Sequence, residues 1–295
     1  MHLKIIPLIL MLFICVPFNA QEATEIYLFD LIETNNSFTL KNPTNISDNK
    51  GYDNQPSFTE DGTAILFSSF RNGQTDIARY EIIDNYRTWI TNTEGSEYSP
   101  ASYPGKKKYF TCVRLDKDGI QLLYKYAYKK KLPEVLIPNS KVGYYLWYNN
   151  KSVISFVIGD IETLEVSNFK FKIKYPISKN IGRSINNIPV PLSIGDNLVS
   201  FISKSLGTPE IYAIDPNNST TLYLIDALSG SEDLTWALNG TILMGKGNKI
   251  YKFNPLQDKD WEEILIESNL PIKNITRMVV SPDGNKIAIV VDEKD

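Results

Sequence analysis

The chain has 295 residues, with 31 Lys plus Arg against 34 Asp plus Glu, a single histidine, two cysteines and a formal net charge of −3. This weak acidity, spread along the chain, gives no compositional sign of a basic nucleic-acid-binding face, so no nucleic acid is expected as a partner. The length suits one large all-β domain.

The N-terminus reads as an export signal. His2 and Lys4 precede an uncharged apolar run from Ile5 to Val16, and Pro17-Phe18-Asn19-Ala20 then leads into polar sequence. A run of about a dozen apolar residues is too short to span a bilayer, which takes about 20. Ala20 is the best cleavage point, whereas the bulky Phe13-Ile14 before Cys15 do not suit a lipoprotein signal. The expectation is a signal peptide over residues 1–20, cleaved after Ala20, and a periplasmic or secreted domain over residues 21–295. Cleavage removes His2 and Cys15 and leaves Cys112 as the lone cysteine. A mature chain of this kind has no intrachain disulfide, no zinc site of several Cys or His ligands and no histidine-dependent triad. No later apolar run is long enough for a transmembrane helix.

The first predicted strands are Glu25 to Asp30 and Ser37 to Leu40. A unit then recurs: a short apolar strand, a tight polar turn and a second β-rich strand. The turns are Glu60-Asp61-Gly62, Tyr103-Pro104-Gly105, Tyr148-Asn149-Asn150, Ile194-Gly195-Asp196, Leu238-Asn239-Gly240 and Pro282-Asp283-Gly284. Their last residues follow one another at steps of 43, 45, 46, 44 and 44 residues. Four strands with their turns occupy about 40–45 residues, the period of a propeller blade. Asp-Gly and Asn-Gly pairs accept the positive φ that a two-residue hairpin turn needs.

The runs after the turns, such as Thr63 to Phe67, Lys108 to Val113, Ser152 to Val157 and Lys286 to Val291, are nearly all apolar. This predicts inner strands packed between neighbouring blades. Third strands follow at Asp76 to Tyr80, Gln121 to Tyr126, Glu210 to Ile214 and Lys249 to Phe253. The chain ends after two strands of its last unit, and the N-terminal strands supply the third and fourth. The prediction is an all-β, six-bladed propeller of four-stranded antiparallel blades, its ring closed by a blade shared between the two termini. Five blades remain an alternative if the irregular stretch around residues 160–190 is not a full blade side.

The segment from Asn54 to Ile82 resembles the TolB-type propeller repeat. Pro56, Phe58, Asp61-Gly62, Ser68-Ser69, Arg71-Asn72-Gly73 and Asp76-Ile77 match that pattern in order. Val279 to Glu293 matches its first half through Ser281-Pro282-Asp283-Gly284, and Ser203 to Ile214 its second half. The middle repeats are degenerate. The resemblance implies a propeller fold rather than an activity. TolB has a further α/β domain before its propeller, and the position of the first strand predicts that this domain is missing, so a TolB role in the Tol-Pal system is not carried over. Serine-peptidase propellers are followed by a hydrolase domain, for which there is neither room nor a G-x-S-x-G motif.

Individual residues divide between structural and functional readings. Asp61, Asp76 and Asp283 sit where aspartate caps turns and strand starts. Asp116-Lys117-Asp118-Gly119 and the lysine run Lys129-Lys130-Lys131 read as hairpin turns. Cys112 reads as a buried, inert thiol. Tyr144-Tyr145-Leu146-Trp147-Tyr148 is the richest aromatic cluster; alternation sends Tyr145 and Trp147 to one side and Tyr144, Leu146 and Tyr148 to the other. Blade packing accounts for most such rings, with Trp89, Trp236 and Trp261 open to the same two readings, yet a ring at a channel mouth could grip a sugar or peptide. Asp53, Glu97, Asp196, Glu232 and Asp233 lie just before or at the turns of predicted inner strands. The candidate ligand-face residues are therefore Tyr145, Trp147, Asp53, Glu97 and Asp233, with no catalytic residue, metal ligand or cofactor site assigned. Two functions follow. One is a binding scaffold for a protein, peptide or cell-envelope ligand. The other is a lactonase-like hydrolase whose channel carboxylates converge on a divalent, calcium-type metal.

Overall fold

The computed structural model describes residues 22–35, 37–129, 132–181, 184–189 and 198–293. The predicted signal peptide, Asp196 with its turn, and Lys130 and Lys131 lie outside these residues. The described residues contain no helix, and so none long and apolar enough to cross a membrane.

Among the described residues, twenty-five strands form six sheets. Blade I comprises Asp53–Phe58, Ala64–Arg71, Gln74–Glu81 and Tyr86–Trp89. Blade II comprises Ser96–Ser102, Tyr109–Leu115, Gln121–Ala127 and Glu134–Ile137. Blade III comprises Val142–Asn149, Ser152–Val157, Thr163–Asn168 and Ile173–Lys179, so the irregular stretch after residue 160 completes a full blade. Blade IV comprises Asn186–Asn187, Val199–Ser203, Glu210–Ile214 and Thr221–Asp226. Blade V comprises Leu234–Trp236, Ile242–Lys246, Lys249–Phe253 and Glu262–Glu263. Blade VI takes Arg277–Val280 and Lys286–Asp292 from the C-terminus and Thr24–Thr34 and Ser37–Asn45 from the N-terminus. Leu265–Ile266 adds a short fifth strand to blade VI, parallel to Ser37–Asn45.

The terminal blade closes the ring as the sequence predicts. Seven residue pairs join Thr24–Asp30 to Lys286–Asp292 in antiparallel register, from Thr24 opposite Asp292 to Asp30 opposite Lys286. Among the described residues, six apolar cores each join one adjacent pair of blades, and the sixth joins blade VI back to blade I. Edges that could pair with another chain are thereby removed where the ring meets itself.

This arrangement explains the apolar runs. In each second strand, alternate side chains enter the cores on opposite faces of the blade. Ile65 and Phe67 pack toward blade VI while Leu66 packs toward blade II. Ile287, Ile289 and Val291 enter the core with blade V, and Ala288 and Val290 the core with blade I. A strand buried on both faces has no polar side to alternate. One expectation changes here. The apolar runs are second from the axis, and the strands before the turns, such as Asp53–Phe58 and Arg277–Val280, line the centre.

The turns behave as their residues dictate. Gly62 and Gly284 sit at φ +69° and +76°, where a Cβ would be strained. Asp61 accepts hydrogen bonds from Thr59 and Thr63, and Asp283 from Ser281 and the Asn285 amide, which holds both carboxyls below the usual range. Asp76 receives Arg71 Nε at 2.7 Å. Gly119 closes the 116–119 hairpin at φ +84°.

Candidate functional site

The six innermost strands surround an axial channel. The strand 1–2 and strand 3–4 turns lie on one face of the ring, here the turn face. A chamber of about 480 Å³ lies toward it and draws lining residues from every blade. A second chamber of about 820 Å³ lies toward the opposite face. Gln55, Tyr144, Asp233 and Arg277 line both, and so form the layer between them.

Arg277 dominates this layer. It begins the innermost strand of blade VI, and its guanidinium crosses the axis to blade III, donating from Nη2 to the Tyr144 hydroxyl at 3.1 Å. The charge also lies 5.0 Å from the Tyr144 ring centroid. Asp233 stands 3.8 Å from Nη1, its other oxygen accepting from the Met278 amide at 3.0 Å. Burial works against the guanidinium charge, but Asp233, Tyr144 and Tyr52 outweigh it and hold the pKa above its ordinary value. Arg277 offers five N–H donors, and among the described residues only one of them is hydrogen-bonded.

The first two innermost strands are bulged, and the bulges shape the chamber wall. Gln55 and Ser99 sit at φ +57° and +49°, each followed by a proline that has no N–H to leave unpaired. The Gln55 side chain accepts from the Ser99 amide at 2.7 Å and from Ser68 at 2.9 Å, tying blade I to blade II. Farther round, Ser184, Asn186 and Asn187 contribute uncharged polar groups to the same chamber.

The five candidate residues separate into two groups. Tyr145, Trp147 and Asp233 line the turn-face chamber. Tyr145 and Trp147 also enter the blade II–III core, both donating to Thr111 Oγ1, at 2.8 and 3.0 Å. Tyr144, Leu146 and Tyr148 pack toward blade IV, as strand alternation predicts. Asp53 and Glu97 are fully buried and line neither chamber. Glu97 accepts from the hydroxyls of Tyr126 and Thr93, at 2.6 and 2.9 Å, and burial raises its pKa despite these bonds. Cys112 is buried beside it, and burial pushes its thiol well above the ordinary range, away from nucleophilic chemistry.

Among the described residues neither Asp53 carboxylate oxygen accepts a hydrogen bond of good geometry, although the Ser69 hydroxyl and the Asn49 amide lie near enough to favour its charge. Burial, with a contribution from Glu25, pushes its pKa up to about 7, and Ser69, Asn49 and Arg87 offset only part of this. The unfolded chain releases this proton near pH 4 and the native chain near pH 7, so the native state holds the extra proton between them. Stability on this account falls as pH rises from about 4 to 7. Asp53→Asn is expected to flatten that slope and to raise stability at pH 8 by on the order of 2 kcal/mol. Urea melts of both proteins at pH 5 and pH 8 measure it; an equal pH dependence in the variant contradicts it.

Among the described residues, those that could hold a metal do not converge. Among the described residues, no group of three or more His, Cys, Asp or Glu side chains is placed to bind an ion. Asp53 and Glu97 are enclosed away from the channel, Asp233 faces Arg277, and Glu232 pairs with Lys204. The described donors therefore do not fit a divalent cation. Arg277 is the functional candidate that the sequence reading missed. Its only signal was a solitary cation opening an otherwise apolar strand before the Pro282-Asp283-Gly284 turn.

No family model matches this sequence, and no curated protein matches it either. Solved structures do. A protein of Agrobacterium tumefaciens assigned as TolB superposes with a TM-score of 0.68 at 13% identity, over 93% of this chain and 100% of that one. TolB of Acinetobacter baumannii gives 0.57 at 11% identity, over 93% of this chain and 65% of that one, so the match spans under two thirds of that protein. A gluconolactonase of Xanthomonas campestris gives 0.63 at 8% identity, over 93% of this chain and 98% of that one. Identities this low carry the architecture and not the chemistry. The chain has the fold of a TolB-like six-bladed β-propeller.

Proposed function

We propose that residues 21–295 form an exported, non-catalytic binding platform, periplasmic or secreted once residues 1–20 are removed. Its turn-face chamber receives a protein segment, peptide or envelope ligand. The observation that carries this reading is Arg277: a guanidinium at the channel centre that makes one hydrogen bond among the described residues, faces Asp233 and is walled by polar groups and aromatic rings. Such a site suits a ligand offering carbonyl or carboxylate oxygens in a partly desolvated setting. The TolB-like architecture is compatible with a scaffold. The alternative, a metal-dependent lactonase-like hydrolase, draws on the gluconolactonase neighbour and needs a carboxylate set that the described residues do not provide.

The test compares wild type with Arg277→Gln, each immobilised and exposed to envelope extract of the producing cells. The variant loses the hydrogen bond to Tyr144 and the ion pair with Asp233, which lowers its urea midpoint. At a temperature where circular dichroism shows it folded, it is expected to capture its specific partner at least tenfold less. Equal capture by both proteins overturns the channel reading. Millimolar calcium discriminates further: the platform predicts no concentration-dependent rise in Tm, and the hydrolase predicts one.

A further inference from the structure

The turn face is electrically divided. In blades II and III the described residues of its turns are 103–108, 128–129, 132–133, 149–151 and 168–172, and they include no aspartate or glutamate. They expose Lys106, Lys108, Lys129, Lys151, Lys170 and Lys172, none of which forms an ion pair among the described residues, whereas Lys107 pairs with Asp61 of blade I at 3.3 Å. Elsewhere on this face the described turns are mainly acidic, with Glu60, Asp61 and Asp84 in blade I, Asp260 beside Lys259 in blade V, and Asp283 in blade VI. On this face the exposed lysines without an ion pair among the described residues thus concentrate in blades II and III, six of them against Lys259 of blade V.

The sector is continuous. The Tyr128 amide donates to the Lys108 carbonyl at 3.1 Å, and the Phe169 amide to the Lys151 carbonyl at 2.8 Å, which joins the two turns within each blade. Tyr103, Trp147 and Phe169 then bridge the blades, with ring centroids 4.5 and 5.7 Å apart. Two apolar side chains project from the outer turns among these lysines: Leu132, 89% exposed, and Phe171, 64% exposed and flanked by Lys170 and Lys172.

We infer that this sector docks the propeller on an anionic phospholipid surface. Lysines ringing two exposed apolar tips match a headgroup layer, which takes the charge laterally and admits Phe171 and Leu132 at shallow depth. Single-stranded nucleic acid is less well served, because Tyr103 and Trp147, the rings that could stack on bases, are buried beneath the lysines. The inference stands apart from the channel, and Arg277→Gln leaves it unchanged.

Co-sedimentation with vesicles tests it. The purified protein is expected to bind phosphatidylcholine vesicles containing about 30% phosphatidylglycerol, to ignore pure phosphatidylcholine, and to release in about 0.5 M salt. The triple variant Lys106→Glu, Lys151→Glu, Lys172→Glu, whose exposed sites leave the core intact, should lower partitioning by about 100-fold, at roughly fivefold per lysine. Leu132→Ser with Phe171→Ser should lower it about tenfold while keeping the salt dependence. Equal binding to both vesicle types, or undiminished binding by the triple variant, overturns the inference. So does retention of a single-stranded oligonucleotide or polyglutamate without vesicle binding.

Discussion

Ile289→Asp leaves the chain unfolded at 25 °C. Ile289 has no exposed surface; it stands opposite Tyr27 on one side and Met278 on the other, in the core between blades V and VI. An unpaired carboxylate there loses the contacts of a fully buried isoleucine and finds no hydrogen-bonding partner prepared for it. Ile→Ala changes at such sites alone cost about 2–5 kcal/mol, and a buried charge adds several more. The total reaches the 5–15 kcal/mol by which domains are typically stable. The position matters twice, because the same strand joins the ends of the chain and feeds the cores on both its faces. Ile83→Asp is the control: Ile83 is 88% exposed in a blade I turn, and its substitution should change stability by less than about 0.5 kcal/mol. Far-ultraviolet circular dichroism with urea titration reads both. A cooperative melt of Ile289→Asp within a few degrees of wild type contradicts the closed ring.

Trp147→Ala should destabilise the protein by about 3–5 kcal/mol. The indole is 8% exposed, packs 4.5 Å from the Tyr103 ring and 5.7 Å from Phe169, and donates to Thr111 of the preceding blade. Trp236 repeats the device, donating to Ser200 of blade IV at 2.8 Å while 7% exposed. Each tryptophan locks an innermost strand to the second strand of its neighbour. Trp147→Phe keeps most of the packing and gives up the hydrogen bond, so it should cost much less, about 1–2 kcal/mol. A lowered urea midpoint with unchanged slope, graded Ala below Phe below wild type, is the expected result. A midpoint unmoved by Trp147→Ala identifies the ring as a ligand contact without a packing role.

Much of the fold was legible because a blade writes its period into its turns. Asp61-Gly62 and Asp283-Gly284 mark the crossing from first to second strand, and residues such as Ile65 and Ala288 are apolar because both blade faces are buried. The complementary half-blades at the ends were equally visible. Radial position was harder to read. An apolar run reports burial between blades but not distance from the axis, which is why the second strands passed for inner ones. The channel centre was not legible either. Arg277 meets Tyr144 across 133 residues and the width of the ring, and no local pattern carries such a contact. Asp53 and Glu97 drew notice as acids beside inner strands, but sequence does not state which way such a side chain turns, and here both are enclosed. The basic sector was hidden for a third reason. Net charge sums over faces, and a division between blades disappears in the total.

Site-specific photo-crosslinking tests the central claim, that the channel is where this propeller meets its ligand. A benzophenone amino acid is placed at Leu146 or Asn187 in the turn-face chamber and, for comparison, at Lys249 on an outer strand, in protein expressed in its own cells. The account predicts a discrete crosslinked product from the chamber positions that Arg277→Gln abolishes, and none from Lys249. Products from Lys249 alone, or chamber products indifferent to Arg277, contradict it.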